Sequence, residues 1–270
     1  MLEYLRSKNS EFKLYSFFEL KGFVPTEFIG LENYKIVLQD TNFIQTLSNT
    51  AKYVFFSLFI ETPLAFLSAV MINEMVHSKQ YFKIALYLPA IIPMVVSSVL
   101  WKAVYMDGSN GLLNMLRYYL FGAEPMQFLT NKKIVIPLII IKMAWSGFGG
   151  SMIMYLASLQ GVDKSLYEAT RLEGAGLFAR IRYVLMPRMW GILLLVVIRQ
   201  IIGIAQLSQE PLIMTGGGPN GASMSIGLQN YLYAFQYNQY SKSIALGVVT
   251  FLGLMIVTIV YFVLDRRIND

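Results

Sequence analysis

The chain contains no cysteine, which removes disulfides, thiolate metal sites and cysteine nucleophiles from consideration. Its only histidine, His77, stands in a short polar linker beside Lys79, and a lone imidazole builds no histidine metal centre. Charge is also scarce. Asp, Glu, Lys and Arg make up 14% of the 270 residues, against roughly 25% in soluble domains. No G-x-x-x-x-G-K-[ST] segment occurs, so the phosphate-cradling loop needed for nucleotide hydrolysis is missing. Residues 1–11, MLEYLRSKNSE, hold no apolar stretch of the length a signal peptide needs.

Apolar residues fill the gap: the chain is 56% hydrophobic with a mean hydropathy of +0.52. They fall in long blocks rather than amphipathic stripes, as bilayer segments do. Crossing a bilayer takes roughly 20 mostly apolar helical residues. Five segments qualify: Leu47–Ile72, Phe82–Tyr105, Ile134–Leu159, Trp190–Met214 and Ile244–Leu264. Pro63, Pro89, Pro93 and Pro137 interrupt them, which a bundle tolerates because neighbouring helices satisfy the freed carbonyls. None alternates with the period of two that a membrane strand requires. The expected fold is therefore all-α, a polytopic membrane protein with five transmembrane helices surrounded by lipid.

In such a protein a net charge of +6 reflects basic cytoplasmic loops rather than nucleic-acid binding. The 77–83 linker, the 160–189 loop and Arg266-Arg267 are denser in Lys and Arg than residues 1–46 and the Met106–Lys133 and Thr215–Ser243 loops. The first set is expected inside. This divides the chain into an external N-terminal segment (1–46), a transmembrane domain (47–264) containing the cytoplasmic 160–189 loop, and a cytoplasmic tail (265–270).

Between the third and fourth spans lies a polar, basic island, Leu166–Arg188, reading LYEATRLEGAGLFARIRYVLMPR. Its pattern predicts a short helix, a turn in which Gly174 and Gly176 supply positive φ, and a second helix stopped by Pro187. By composition alone it also fits an amphipathic helix lying among headgroups. The island resembles the EAA loop of ABC-importer permeases, whose usual form is E-A-A-x-x-D-G-A, a spacer, then I-x-L-P. Here Thr170 stands for the third-position alanine and Glu173 for the aspartate. The resemblance implies a cytoplasmic coupling helix that docks on an ATPase through Glu168, Ala169, Thr170, Glu173, Gly174, Ala175, Gly176 and Pro187. A carboxylate such as Glu168 in a first helical turn complements the helix dipole.

Further blocks follow in the family's order. They are Phe28–Tyr34 (FIGLENY), Asn49-Thr50, Tyr87-Leu88-Pro89 with Pro93, Gly111–Asn114, Trp145–Phe148, Leu156–Gln160 and Thr215–Pro219 (TGGGP). The last is characteristic of the carbohydrate branch. The resemblance implies a type I ABC-importer permease fold, with most of the family's first helix missing ahead of Leu14. It further implies a transport subunit rather than an enzyme, importing a sugar or oligosaccharide by alternating access across a bacterial or archaeal cytoplasmic membrane. The implied partners are a sister permease forming a heterodimer, two ATPase subunits and an extracytoplasmic solute-binding protein. No cofactor is expected on this chain, since ATP and Mg would belong to the ATPases.

Charged side chains at membrane depth are costly and face partners or a cavity. Glu61, Lys142 and Arg199 are such residues. They either pair internally, or Arg199 or Lys142 meets an anionic group on the substrate, such as a uronate. The resemblance places substrate contacts on the spans before the EAA loop and before the glycine motif. The matching residues are Trp145, Ser146, Gly147, Gly150, Arg199, Gly203, Gln206 and Gln209. An aromatic face, hydroxyls and carboxamides suit sugar rings, and the glycines serve either as room for a ligand or as close helix packing. A secondary transporter of a small polar solute would call for internal repeats, and none is evident. A membrane enzyme would need a catalytic cluster, which only Glu61 and Glu210 approach.

Overall fold

The computed structural model describes residues 15–22, 24–75, 77–161, 170, 172, 174 and 176–269. A two-stranded antiparallel hairpin, β1 (Phe18–Lys21) and β2 (Val24–Phe28), leads into α1 (Glu32–Gln39) and the long α2 (Phe43–Glu74). Then come α3 (Lys79–Tyr87), extended by a tight turn to Ile91, and α4 (Met94–Val104), α5 (Leu112–Phe121) and α6 (Val135–Leu159). The chain ends with α7 (Leu177–Ala205), α8 (Gln209–Thr215), α9 (Ile226–Tyr231) and α10 (Tyr240–Asn269). Among the described residues α2, α6, α7 and α10 are each long and apolar enough to cross a bilayer, and α3 with α4 supplies a fifth crossing if the bent pair counts as one.

Three expected shapes differ, each for a local reason. The Phe82–Tyr105 segment is not one straight helix, because α3 and α4 meet at 91°. Ile92 is extended (φ −68°, ψ 125°) ahead of Pro93, since a proline ring clashes with a helical residue before it. Pro63, by contrast, sits inside an unbroken α2. The fourth span is shifted: α7 begins at Leu177 and ends at Ala205, and Gln209–Thr215 is a separate helix. Finally, Pro187 does not stop a helix. It stands in the first turn of the Met186–Ala205 segment, directly after a π-turn over Ile181–Leu185. The wider i→i+5 turn absorbs the missing N–H and the ring, so the helix runs on.

Two of the three apolar clusters among the described residues are stacked along the bundle, the third joining Val37 to Ile226, Tyr233, Ala245 and Leu246. The cluster nearer the 160–189 loop joins Ala65, Phe66 and Ala69 of α2 to Phe148, Met152 and Tyr155 of α6 and Leu185, Met189 and Val196 of α7. The other of the stacked two joins Tyr53 of α2 to Val135, Ile136, Ile139 and Ile140 of α6 and to Ile204, Leu207 and Met214. Between them all three helices change character at one level, where Glu61, Ala144–Gly147 and Arg199–Gly203 belong to neither.

Toward the end away from the loop, the buried face of α2 is polar. Thr46, Asn49, Thr50, Tyr53, Ser57 and Glu61 recur at helical spacing. This stripe grips the segment after α8: Asn49 Nδ2 donates to the carbonyls of Gly221 (2.7 Å) and Met224 (3.0 Å), and Tyr53 Oη to Ser223 (3.0 Å). The TGGGP motif is a turn, with Gly216 (φ 62°) closing α8 and Gly217 at φ 84°. The hairpin and α1 dock on α10 and the segment after α9, through Leu20 N–H to Ser241 Oγ (2.9 Å) and Tyr233 Oη–H to Asp40 Oδ2 (2.6 Å). Burial, together with the Asp40 carboxylate, pushes the Tyr233 phenol above its ordinary pKa.

Candidate functional site

At the level between the two clusters lies an open cavity of about 470 Å³. α2 contributes Glu61, α6 contributes Met143, Ser146 and Gly147, and α7 contributes Arg199, Gln200, Gly203 and Ile204. The remaining wall is Gln206–Glu210, where α7 has ended and α8 is starting. A span broken here places irregular backbone against a cavity, which is where a membrane protein tolerates it.

Six of the eight residues expected on the substrate pathway therefore meet: Ser146, Gly147, Arg199, Gly203, Gln206 and Gln209 line this space. Trp145 does not. It lies one position, about 100°, round the helix from Ser146, and stacks on Trp101 of α4 with ring centroids 5.6 Å apart. Gly150 lies a turn nearer the loop end and is outside the lining, though a Cβ there would meet nothing within 4 Å. The other two glycines differ. Gly203 leaves open space, whereas a Cβ on Gly147 would stand 3.3 Å from Glu61 Oε1. A side chain at position 147 would push on that carboxylate.

The buried charges are arranged in two sets. Lys142, with no exposed surface, points to Glu210 at 3.6 Å and is closed off from a ligand. Glu210 in turn faces the cavity. Arg199 lines the cavity and donates from Nη2 to Ser151 Oγ at 3.0 Å. Glu61 is held by Gln200, whose Nε2 donates to Glu61 Oε2 (3.2 Å) and to the Ser57 carbonyl (3.1 Å). The Gln200 Oε1 accepts from Thr62 Oγ1 at 2.7 Å. Every polar atom of that carboxamide is spoken for, so α7 and α2 are locked together at the cavity floor. Gln200 escaped the sequence reading, although an amide beside Arg199 in an apolar span was its signal.

Of the coupling residues, Glu168, Ala169, Glu173 and Ala175 lie outside the described residues. Gly174 has the positive φ expected (74°). Gly176 does not: it is extended (φ −64°, ψ 166°) at the start of α7, a helix N-cap position that needs β-region dihedrals. Just inside α7, Arg180 Nη1 donates to Glu74 Oε2 at 3.0 Å, at the last residue of α2.

Comparison with known proteins places this arrangement. The model of the family described as "Binding-protein-dependent transport system inner membrane component" matches residues 61–270. The chain belongs to that family. The permease is 29% identical to the trehalose/maltose transport system permease protein MalF of Thermococcus litoralis, over 92% of this chain and 83% of the relative. It is 30% identical to the lactose transport system permease protein LacF of Rhizobium radiobacter, over 78% of this chain and 72% of that one. Its fold matches a crystal structure of a bacterial ABC transporter involved in the import of the acidic polysaccharide alginate, with a TM-score of 0.85, 22% identity, and coverage of 98% of this chain and 90% of that one. The permease is thus a multi-pass membrane transport component of the type I importer fold, and the family comprises transport subunits rather than enzymes.

Proposed function

We propose that this permease forms one side of the channel of an ATP-driven, binding-protein-dependent importer for a sugar or oligosaccharide in the bacterial or archaeal cytoplasmic membrane. The observation that carries the reading is the cavity lining. Two glutamine carboxamides (Gln206, Gln209) and two serines (Ser146, Ser208) line the cavity with Arg199 and the Glu61 and Glu210 carboxylates at a single level of the bundle. Carboxamides and hydroxyls both donate and accept, as ring hydroxyls do. The curated relatives named above transport trehalose and maltose, and lactose. A volume of about 470 Å³ suits a small ligand, and its open side supports a sister permease completing the enclosure.

In this reading the 160–189 loop docks on one of two ATPase subunits, which carry ATP and Mg, and this chain binds no cofactor. An external binding protein delivers the sugar to the cavity. ATP drives the cycle by favouring one of two conformations of the assembly over the other.

Two results test the proposal. Purifying the tagged chain from its native membrane is expected to recover a second permease and an ATPase. Gly174→Pro is expected to lose the ATPase alone, because proline holds φ near −65° where the native turn needs 74°. Recovery of the chain by itself would leave the importer reading without support. Deleting the gene is expected to abolish uptake of at least one labelled neutral oligosaccharide. With that substrate, Arg199→Gln is expected to lower uptake tenfold or more, as loss of about 1.4 kcal/mol of charge-assisted hydrogen bonding implies. Unchanged uptake with normal assembly would remove Arg199 from the pathway.

A further inference from the structure

α5 is mounted rigidly at the end of the bundle away from the 160–189 loop. Asn114 Nδ2 donates to the carbonyls of Gly108 (3.0 Å) and Met126 (2.8 Å), and its Oδ1 accepts from Met126 N–H at 2.8 Å. Leu113 packs into the cluster around Tyr105 and Phe128. Arg117, the only charge on the helix, turns inward over the Phe128 ring at 5.9 Å. Everything on the opposite side is apolar or aromatic and exposed: Leu112, Met115, Leu116, Tyr118, Tyr119 and Leu120.

At 100° per residue those six positions sweep about 200° of the helix. That is about twice the stripe of roughly 100° that a helix buries against one protein face. Ten residues make a helix of about 15 Å, half of the roughly 30 Å needed to cross the hydrocarbon. α5 also follows α4, whose Val95, Val96, Val99 and Leu100 are half exposed, so the two apolar surfaces adjoin along the chain. Tyr118, Tyr119 and Phe121 gather at the far end, as aromatic residues do where acyl chains meet headgroups.

We infer that α5 is an interfacial helix, lying in the outer boundary of the bilayer with the Leu112–Leu116–Leu120 side in the acyl chains. Its partner is lipid. The inference rests on the membrane character of the family and not on the proposed sugar.

Because the chain has no cysteine, a single spin-label site can be placed on it, with the unsubstituted complex labelled alongside to subtract signal from other chains. Leu116→Cys and Leu120→Cys are to be labelled in the complex as it co-purifies with the tagged chain, reconstituted in phosphatidylcholine vesicles. Glu124→Cys serves as an aqueous control. Collision with oxygen is expected to exceed collision with a nickel chelate at 116 and 120, and the reverse at 124. Nickel dominance at 116 and 120 would put the helix in water, and protection from both reagents would put a protein over it. Either result overturns the inference. Should a labelled variant fail to assemble, quenching of a Tyr119→Trp variant by brominated lipid against wild type reads the same contact: enhanced quenching supports it, and none overturns it.

Discussion

Replacing Gly227 with valine is expected to abolish recovery of the folded permease, because the residue backs directly onto the Gln206–Leu207 wall of the cavity. A Cβ at that position would lie 2.5 Å from the Gln206 carbonyl carbon and oxygen and 2.5 Å from the Leu207 carbonyl oxygen. Those are backbone atoms of the break between α7 and α8, and no rotamer can move them aside. The contact is fixed from both directions. Thr50 Oγ1 accepts from Ile226 N–H at 2.9 Å, and Ser225 Oγ donates to the Leu207 carbonyl while accepting from Leu228 N–H. Overpacking in a tolerant core costs about 1–3 kcal/mol, and here the displaced segment includes the wall formed by Gln206–Glu210. The check is the monodisperse peak of tagged protein in detergent chromatography, lost for Gly227→Val. Gly253→Val is expected to behave as wild type, since nothing stands within 4 Å of a Cβ there. A wild-type peak for the 227 variant would show that α9 is not held as described.

The contrast marks what local sequence could disclose. Arg199 was legible as a cavity residue because a charge inside an apolar span has few other places to go, and Gln206 and Gln209 through the family resemblance; all three line one space. Four spans were legible from length and apolarity, and the fifth is a bent pair of helices. What was not legible depended on backbone approach between distant segments. Pro89 and Pro93 announce an interruption, but the 91° bend is set against Gly149, whose Cβ would be 2.8 Å from the Leu86 carbonyl oxygen. Trp145 reads as a sugar platform until Trp101 is found beside it. The early start of α7 was hidden for a similar reason. Arg180, Arg182 and Arg188 read as a basic cytoplasmic island holding a short second helix, whereas Arg180 has its partner on α2, 106 residues away.

That partner gives the second large effect. Arg180→Glu is expected to cut uptake at least tenfold, and Glu74→Arg combined with Arg180→Glu to restore most of it. The pair is 3.0 Å apart with side chains only 11% and 20% exposed, and leaving one buried charge alone costs about 3–5 kcal/mol. Its position makes the loss functional rather than merely structural. Glu74 is the last residue of α2 and Arg180 lies in the first turn of α7, inside the C-terminal part of the 160–189 loop. Along α2, Glu61 stands 13 residues back from Glu74 (74 − 61), about 20 Å at 1.5 Å per residue, and it lines the cavity. Along α7, Arg199 lines the same cavity, and Gln200 ties the two helices there. Under the proposed coupling role, a force applied at the loop would reach the cavity through two helices tied together at each end, with the Glu74–Arg180 contact nearest the force. Measuring uptake beside the amount of assembled complex separates the two roles. Normal assembly with lost uptake marks transmission, and rescue by the double reversal assigns it to the pair. Wild-type uptake in the single reversal would leave the loop's motion to travel by another route.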